Sequence, residues 1–186
     1  MIFSDRTNSI ETSKTVEFTT IIRQLNQQGK NIIDLAVGEP QFNTQDAVLE
    51  ATKKALDDQK TRYGPVLGLQ ELRIGIAKQF DGYDAQNILI SNGSKQSLFL
   101  VFQALFNPGD EIIVPRPFWV SFTEQIKLAG AAPVLVDTNN HQLDVKAISD
   151  AITSKTKAII INTPNNPTGA VYKKADIEAV IRLAKK

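Results

Sequence analysis

The segment Ile161-Asn-Thr-Pro-Asn-Asn-Pro-Thr-Gly-Ala-Val-Tyr172 follows a β-branched run, Ile159 to Ile161, and carries two X-Pro steps and one glycine. Each proline fixes its own φ and pushes the residue before it toward extended geometry, so the loop is stiff. Either X-Pro bond can be cis. A loop of this kind holds the amides of Asn162, Asn165 and Asn166 at the end of a buried strand, where α/β proteins bind ligands. Taken alone, the segment also reads as a Pro-rich turn leading into the next helix.

Working outward, the same alternation recurs from Asn87 onward. Ile88–Ile90, Ile112–Val114, Val134–Val136 and Ala158–Ile161 are short, β-branched and bounded by breakers. Helical patterns lie between them at Lys95–Phe106, Phe122–Ala129 and Val145–Ile152, and a last one runs from Ile177 to Ala184. Continuous apolar strands alternating with helices predict an α/β fold, a mostly parallel sheet covered on both faces. The pattern stops at Arg-Leu-Ala-Lys-Lys186 inside a helical stretch, which reads as a truncated domain.

The first part of the chain is less regular. Residues 1–30 are polar, with one short helix expected over Glu17–Gln28, and read as an arm or a partly ordered tail. Asn31–Pro40 reads as a short strand stopped by Gly38 and Pro40. Thr44 suits an N-cap for a helix through Asp58. Lys60–Gly68 is a loop holding Tyr63, after which Leu69, Leu72, Ile76 and Phe80 share a helical face while Glu71, Arg73, Lys78 and Gln79 face water. Residues 1–45 are expected to form an arm and boundary segment, and 46–186 the incomplete main domain.

Composition narrows the function classes. A hydrophobic fraction of 42% with 22% charged residues describes a packed, soluble chain. With 21 basic and 20 acidic residues mixed along the sequence, there is no electrostatic footprint for nucleic acid or anionic lipid. The absence of cysteine excludes disulfides, thiol nucleophiles and thiolate-held metals, and a single histidine, His141, makes a zinc site improbable. No segment matches a signal peptide or a membrane span, so a cytoplasmic location is expected.

Three strand-end loops carry the chemistry. In Ile90-Ser-Asn-Gly-Ser-Lys-Gln-Ser97 an expected buried strand runs into Gly93 and then into a helix whose Leu98, Phe99, Val101, Phe102, Leu105 and Phe106 cover most of its surface. Unpaired N–H groups at such a helix start, with the macrodipole, attract an anion. Gly93 lets a phosphate approach the backbone, and Ser94 and Lys95 add donors. The segment is neither a Walker loop nor GxGxxG, which disfavours a nucleotide; a plain capped strand–helix join is the competing reading. In Pro115-Arg-Pro-Phe-Trp-Val-Ser121 the single tryptophan, Trp119, offers a flat face for stacking a heteroaromatic ring, against the commoner fate of filling core space. Phe118 reads as core and Arg116 as a solvated charge. The third loop is the Asn-rich segment at 162–172.

A phosphate cradle, an aromatic plate and a fixed amide together match pyridoxal phosphate, which has a phosphate, a flat pyridine ring and a phenolic oxygen. GEPQF, RYGP..G..ELR, SNGSKQSLF, NPGDEIIVPRPFWVSF and NTPNNPTGAVY, in this order, resemble the class I/II pyridoxal-phosphate aminotransferases of fold type I, in the bacterial aspartate-aminotransferase-like branch. The resemblance covers about Arg6 to Lys186. It implies the three-layer α/β/α major domain of these enzymes and the transfer of an amino group from an amino acid to a 2-oxo acid. It implies that Gly93, Ser94 and Lys95 hold the cofactor phosphate, that Trp119 stacks on the ring and that Asn166 donates to the phenolic oxygen, before a bond to Pro167 that is often cis. Gly38, with Trp119 and Asn166, falls at positions near the substrate. Tyr63 falls at a position reaching the neighbour's phosphate, which implies a homodimer. Asn162 and Asn165 are left as loop scaffolding.

The departures from the family pattern are as informative. Transamination needs a Schiff-base lysine and an acidic partner for the pyridine nitrogen. In the resemblance these groups, with the arginine that clamps the substrate, all fall after Lys186. No lysine present stands in a matching motif, so no catalytic residue is assigned in this chain, and the chain by itself is expected to be inactive. Lyases of the same fold, such as a carbon–sulfur β-lyase or an aminocyclopropane-carboxylate synthase, share the turn motifs. Two other classes are an aminotransferase-like ligand-binding module of a transcription regulator and a phosphate-binding α/β domain without cofactor chemistry. A basic winged-helix segment would mark the former, and Trp119 with the NNPTG loop argues against the latter.

Overall fold

The computed structural model describes residues 2, 4–11, 14–34, 38 and 40–185. The chain divides into two compact units, Met1–Ser13 with Gly93–Lys186, and Lys14–Asn92. In chain order the elements are α1 (Asp5–Asn8), α2 (Lys14–Gln27), α3 (Asp46–Asp57), α4 (Gln70–Ala77), a 3-10 turn (Ala85–Asn87), α5 (Gly93–Leu105), β1 (Glu111–Arg116), α6 (Ser121–Leu128), β2 (Ala132–Asp137), α7 (Val145–Asp150), β3 (Thr156–Ile159) and α8 (Lys174–Ala184).

The unit holding residues 93–186 is built on a parallel sheet of order β2-β1-β3. The middle strand β1 has neighbours on both edges and helices on both faces, so Ile112, Ile113 and Val114 are almost wholly buried. That is why it reads as a continuous apolar run rather than an alternating one. Side chains still alternate across the sheet. Ile112 and Val114 pack with Phe102 of α5 and with Phe122 and Ile126 of α6. On the opposite face Ile113 and Val136 pack with Ile148 of α7 and Val180 of α8. The result is a three-layer α/β/α arrangement with a mostly parallel sheet, as expected. The ladder runs in register from Glu111 opposite Ala132 to Arg116 opposite Asp137, and shifts between Glu111 and Ile112 on the β3 side. The Ile160 N–H donates to the Ile113 carbonyl at 2.9 Å and carries the pairing on toward the Asn-rich loop.

The unit holding residues 14–92 is helical. Gly68 has φ of +96°, and a Cβ there would lie 2.5 Å from Ile90 Cγ1, so only glycine fits. The Ile90 N–H donates to the Leu67 carbonyl at 3.0 Å, which pins this loop to the segment before Asn92. Asp84 caps the 3-10 turn by accepting from the Gln86 N–H at 2.7 Å, while Asn87 Oδ1 accepts from the Asp84 N–H at 3.0 Å.

Several expectations are corrected. Ile88–Ile90 starts with an extended Ile88 but belongs to no strand, because its residues join no ladder among the described residues, and Leu89 is exposed. Apolar β-branched content supplied the propensity; a neighbouring strand is what it lacks. Helix α5 starts at Gly93 and buries only Phe102, leaving Phe99, Leu100, Val101 and Leu105 exposed, so it is not covered on all sides. Arg73 does not face water. Its guanidinium is partly buried, with Nε donating to the Ile88 carbonyl at 2.9 Å and Nη2 to the Ala85 carbonyl, while Leu69, Leu72 and Phe80 are exposed. The N-cap of α3 is Gln45 rather than Thr44, with no side-chain capping bond. Residues 31–34 are not in a strand, and residues 35–37 and 39 of that expected strand lie outside the described residues.

Candidate functional site

In a parallel sheet every strand ends on the same edge, and the loops beyond those ends gather there. At the end of β1 the chain enters Arg116–Pro117 and reaches Trp119, which is half-buried against the core and meets Phe122 edge to face, with ring centroids 5.5 Å apart. The Arg116–Pro117 bond is cis, as are Thr163–Pro164 and Asn166–Pro167. Phe118 packs on the same core.

The start of α5 lies against this loop. Lys95 Nζ sits 5.1 Å from the centroid of the Trp119 ring, in cation–π range. Gln125 Nε2 on α6 donates to the Lys95 carbonyl at 3.1 Å. Gly93, the first helical residue, has φ of +77°, and a Cβ there would meet nothing within 4 Å, so no neighbouring atom crowds that position. Helix N-termini of this kind favour anions.

The Asn-rich loop closes on itself and then on Pro117. The Asn165 N–H donates to the Ala170 carbonyl at 2.9 Å and the Gly169 N–H to the Asn165 carbonyl at 2.7 Å. The Asn165 side chain, 6% exposed, donates through Nδ2 to the Pro117 carbonyl at 3.1 Å and to Thr168 Oγ1 at 2.9 Å. Asn162 Oδ1 accepts from the Asn166 N–H at 3.1 Å, and Thr163 Oγ1 from the Tyr172 N–H at 3.0 Å. Asn162 and Asn165 therefore scaffold the loop. Asn166 is exposed, and its side-chain amide has no hydrogen-bond partner among the described residues. Tyr172 is buried beneath, and burial pushes its phenol above the ordinary value.

Lys95 and Trp119 are thus brought into contact, Gly93 and Ser94 stand in the same helical turn as Lys95, and Asn166 follows the residue that fastens its loop to Pro117. Tyr63 and Gly38 lie in the other unit, Tyr63 fully exposed and Gly38 in open space. Arg116 is solvated as expected, but it is also paired: Nε and Nη2 both reach the Asp137 carboxylate, the second at 2.9 Å. That hydrogen bond raises the arginine and lowers the aspartate from their ordinary values. The pairing follows from register, since the two residues face each other at the ends of β1 and β2.

Two glutamines were missed from sequence. Gln142 donates to the Val171 carbonyl and accepts from the Lys173 N–H, both at 3.2 Å, and so holds the far end of the Asn-rich loop. Gln125 was legible in principle: with Phe122, Ile126 and Ala129 it falls at i, i+3, i+4 and i+7 spacing, a polar residue on an apolar helical face.

The donor set suits a ligand with an anionic end and a flat ring: an open glycine turn, an ammonium, an indole face and an unpaired amide. No group of metal-ligating side chains occurs among the described residues, and no described helix is long and apolar enough to cross a membrane.

Comparison with known proteins bears on the family and the fold. The family profile described as aminotransferase class I and II matches residues 30–186. The aspartate/prephenate aminotransferase of Thermus thermophilus is 40% identical over 189 residues, covering 97% of this chain and 49% of that protein. A solved structure of the Thermus thermophilus aspartate aminotransferase with maleate superposes with a TM-score of 0.95 at 39% identity, covering 100% of this chain and 50% of the other. An alanine aminotransferase from Pyrococcus furiosus superposes with a TM-score of 0.91 at 34% identity, covering 99% and 49%. The chain spans about half the length of the curated relatives it matches. The chain belongs to the class I and II aminotransferase family.

Proposed function

We propose that these residues form the N-terminal part of a pyridoxal-phosphate-dependent aminotransferase that moves an amino group between an amino acid and a 2-oxo acid. The observation that carries this reading is the meeting of the Lys95 ammonium with the Trp119 ring, beside a loop fastened through Asn165 to Pro117. In this reading the Gly93 and Ser94 backbone and the Lys95 side chain bind the phosphate, and Trp119 covers one face of the pyridine ring. Asn166 donates its amide N–H to the phenolic oxygen. Bound there, the cofactor supplies the electron sink that lets a substrate Cα–H bond break. Gly38, Trp119 and Asn166 border the substrate. Tyr63 serves the phosphate of the second subunit in a homodimer. Residues 1–45 act as arm and boundary segment and 46–186 as part of the major domain, in a cytoplasmic enzyme.

The lysine that would bond the cofactor is assigned to none of these 186 residues, because no lysine here stands in a matching motif and Lys95 belongs to the phosphate turn. The chain alone is therefore expected not to catalyse the transfer. The test is a titration of the chain with pyridoxal phosphate, followed by the emission of its single tryptophan, with inorganic phosphate as competitor and borohydride trapping at the end. Saturable quenching relieved by phosphate, with no stoichiometric adduct on one lysine, is expected. Absence of saturable quenching would overturn the site. A stoichiometric adduct on one lysine would overturn the assignment of that residue to another part of the enzyme.

A further inference from the structure

Gln125 sits in the wrong chemical company for a glutamine. It is 9% exposed, between Phe122 and Ile126 on the face of α6 that packs on the core, and its Oε1 is buried with no hydrogen-bond partner among the described residues. A buried amide oxygen left unpaired costs stability, and an apolar side chain of similar length would fill the same space without that cost. The other end of the amide makes one bond, from Nε2 to the carbonyl of Lys95 at 3.1 Å. That bond spans 30 residues and ties the buried face of α6 to the first turn of α5, the turn that carries Gly93, Ser94 and Lys95. Lys95 itself is otherwise exposed, and its ammonium is held 5.1 Å from the Trp119 ring. A local choice that lowers stability yet fixes a turn bearing binding groups is the kind of inconsistency that marks a functional position.

We propose that Gln125 is a positioning residue: through the Lys95 carbonyl it sets the height and rotation of the first turn of α5, and so the placement of the Lys95 ammonium over Trp119. Its consequence for ligand binding rests on the cofactor reading above, because that turn is the one assigned to the phosphate. Gln125 touches no ligand itself.

The experiment compares the full chain with Gln125→Met, which keeps length and removes both the bond and the orphaned oxygen. Thermal midpoint and acrylamide quenching of Trp119 are measured without ligand, and pyridoxal phosphate is then titrated. The expected result is an unchanged or higher midpoint together with altered quenching, and roughly five-fold weaker binding of pyridoxal phosphate, the effect of one neutral hydrogen bond. A merely structural role would move midpoint and binding in the same direction. Gln125→Glu supplies the second variant: ionised, it has no proton to donate, so its quenching should match that of the methionine variant while its unpaired buried charge lowers the midpoint. Burial raises its carboxyl value, and as it takes up a proton on acidification it should regain wild-type quenching. Quenching unchanged in both variants would overturn the inference whatever the ligand does. Equal affinity of the wild type and Gln125→Met for pyridoxal phosphate would overturn its consequence for binding. No binding by the wild type would instead overturn the cofactor reading, leaving the positioning role to the quenching data.

Discussion

The two adjacent asparagines of the Asn-rich loop should respond to the same substitution in opposite ways. Asn165 is buried and donates two hydrogen bonds, at 3.1 Å to the Pro117 carbonyl and at 2.9 Å to Thr168 Oγ1. Each such bond contributes about 1 kcal/mol net, and the truncated side chain leaves a small void. Asn165→Ala should therefore cost about 2–3 kcal/mol. Asn166 is exposed and its amide is unpaired among the described residues, so Asn166→Ala should change stability by less than about 0.5 kcal/mol. The assay is urea unfolding followed by tryptophan emission, which reports the unit of residues 93–186 because Trp119 is the only tryptophan and lies within it. With a urea slope of about 1–3 kcal/mol/M, the Asn165 variant should unfold about 0.7–3 M earlier. Under the proposed function the order reverses in kind: Asn166→Ala should leave the fold intact and weaken pyridoxal phosphate affinity about ten-fold, as for a hydrogen bond to a charged partner. Equal stability of the Asn165 variant and wild type would refute the scaffolding role, and unchanged cofactor affinity on Asn166→Ala would refute the binding role.

Gly68→Ala should destabilise the helical unit by about 2–4 kcal/mol, because it combines a left-handed φ with overpacking against Ile90; amide exchange of residues 67–90 measures it, and wild-type protection would contradict the predicted clash. Ile126→Ala should cost about 2–5 kcal/mol, since Ile126 is wholly buried under β1; a smaller loss in urea unfolding would mean that the face recloses. Glu124 fastens the N-terminal segment by accepting from the Glu11 N–H at 2.8 Å, and it pairs with Lys127 at 2.9 Å. Burial pushes its carboxyl up, but the Glu11 N–H and Lys127 together outweigh burial and hold it below the ordinary range. A lowered folded value means that the contribution is present above the unfolded carboxyl value, about 4.3, and lost as pH falls through the folded one. The stability difference between wild type and Glu124→Gln should therefore be full near neutrality and shrink in acid. A difference independent of pH would rule out the carboxylate as its source.

The layered sheet was legible because β1 and β2 announce themselves locally as apolar β-branched runs, whereas for β3 the expected run Ala158–Ile161 overlaps the strand Thr156–Ile159 only at Ala158 and Ile159. Ile88–Ile90 carries the same local mark and failed, since a strand is defined by its neighbour and the run of residues does not encode one. Apolar residues cover most of the surface of α5, which suggested a largely buried helix, yet composition says how much apolar surface a helix has and not what lies against it. Arg73 shows the converse: a charge on an amphipathic pattern is drawn inward by two carbonyls, at Ala85 and Ile88, that no helical wheel reveals.

The sequence by itself determined the family, the parallel α/β architecture and the three loops proposed to bind the ligand, because motif order and hydrophobic period are properties of neighbours along the chain. Only the tertiary structure decided how those loops are held: Asn165 to Pro117 across 48 residues, Gln125 to Lys95 across 30, and Arg116 to Asp137 across 21. Such bonds depend on strand register and helix placement, which are settled when the core packs rather than by any local pattern. The Ile161–Tyr172 segment belongs to both accounts. Its prolines and asparagines identify it in the sequence, and the division of work between Asn165 and Asn166 follows from which amide the folded core encloses.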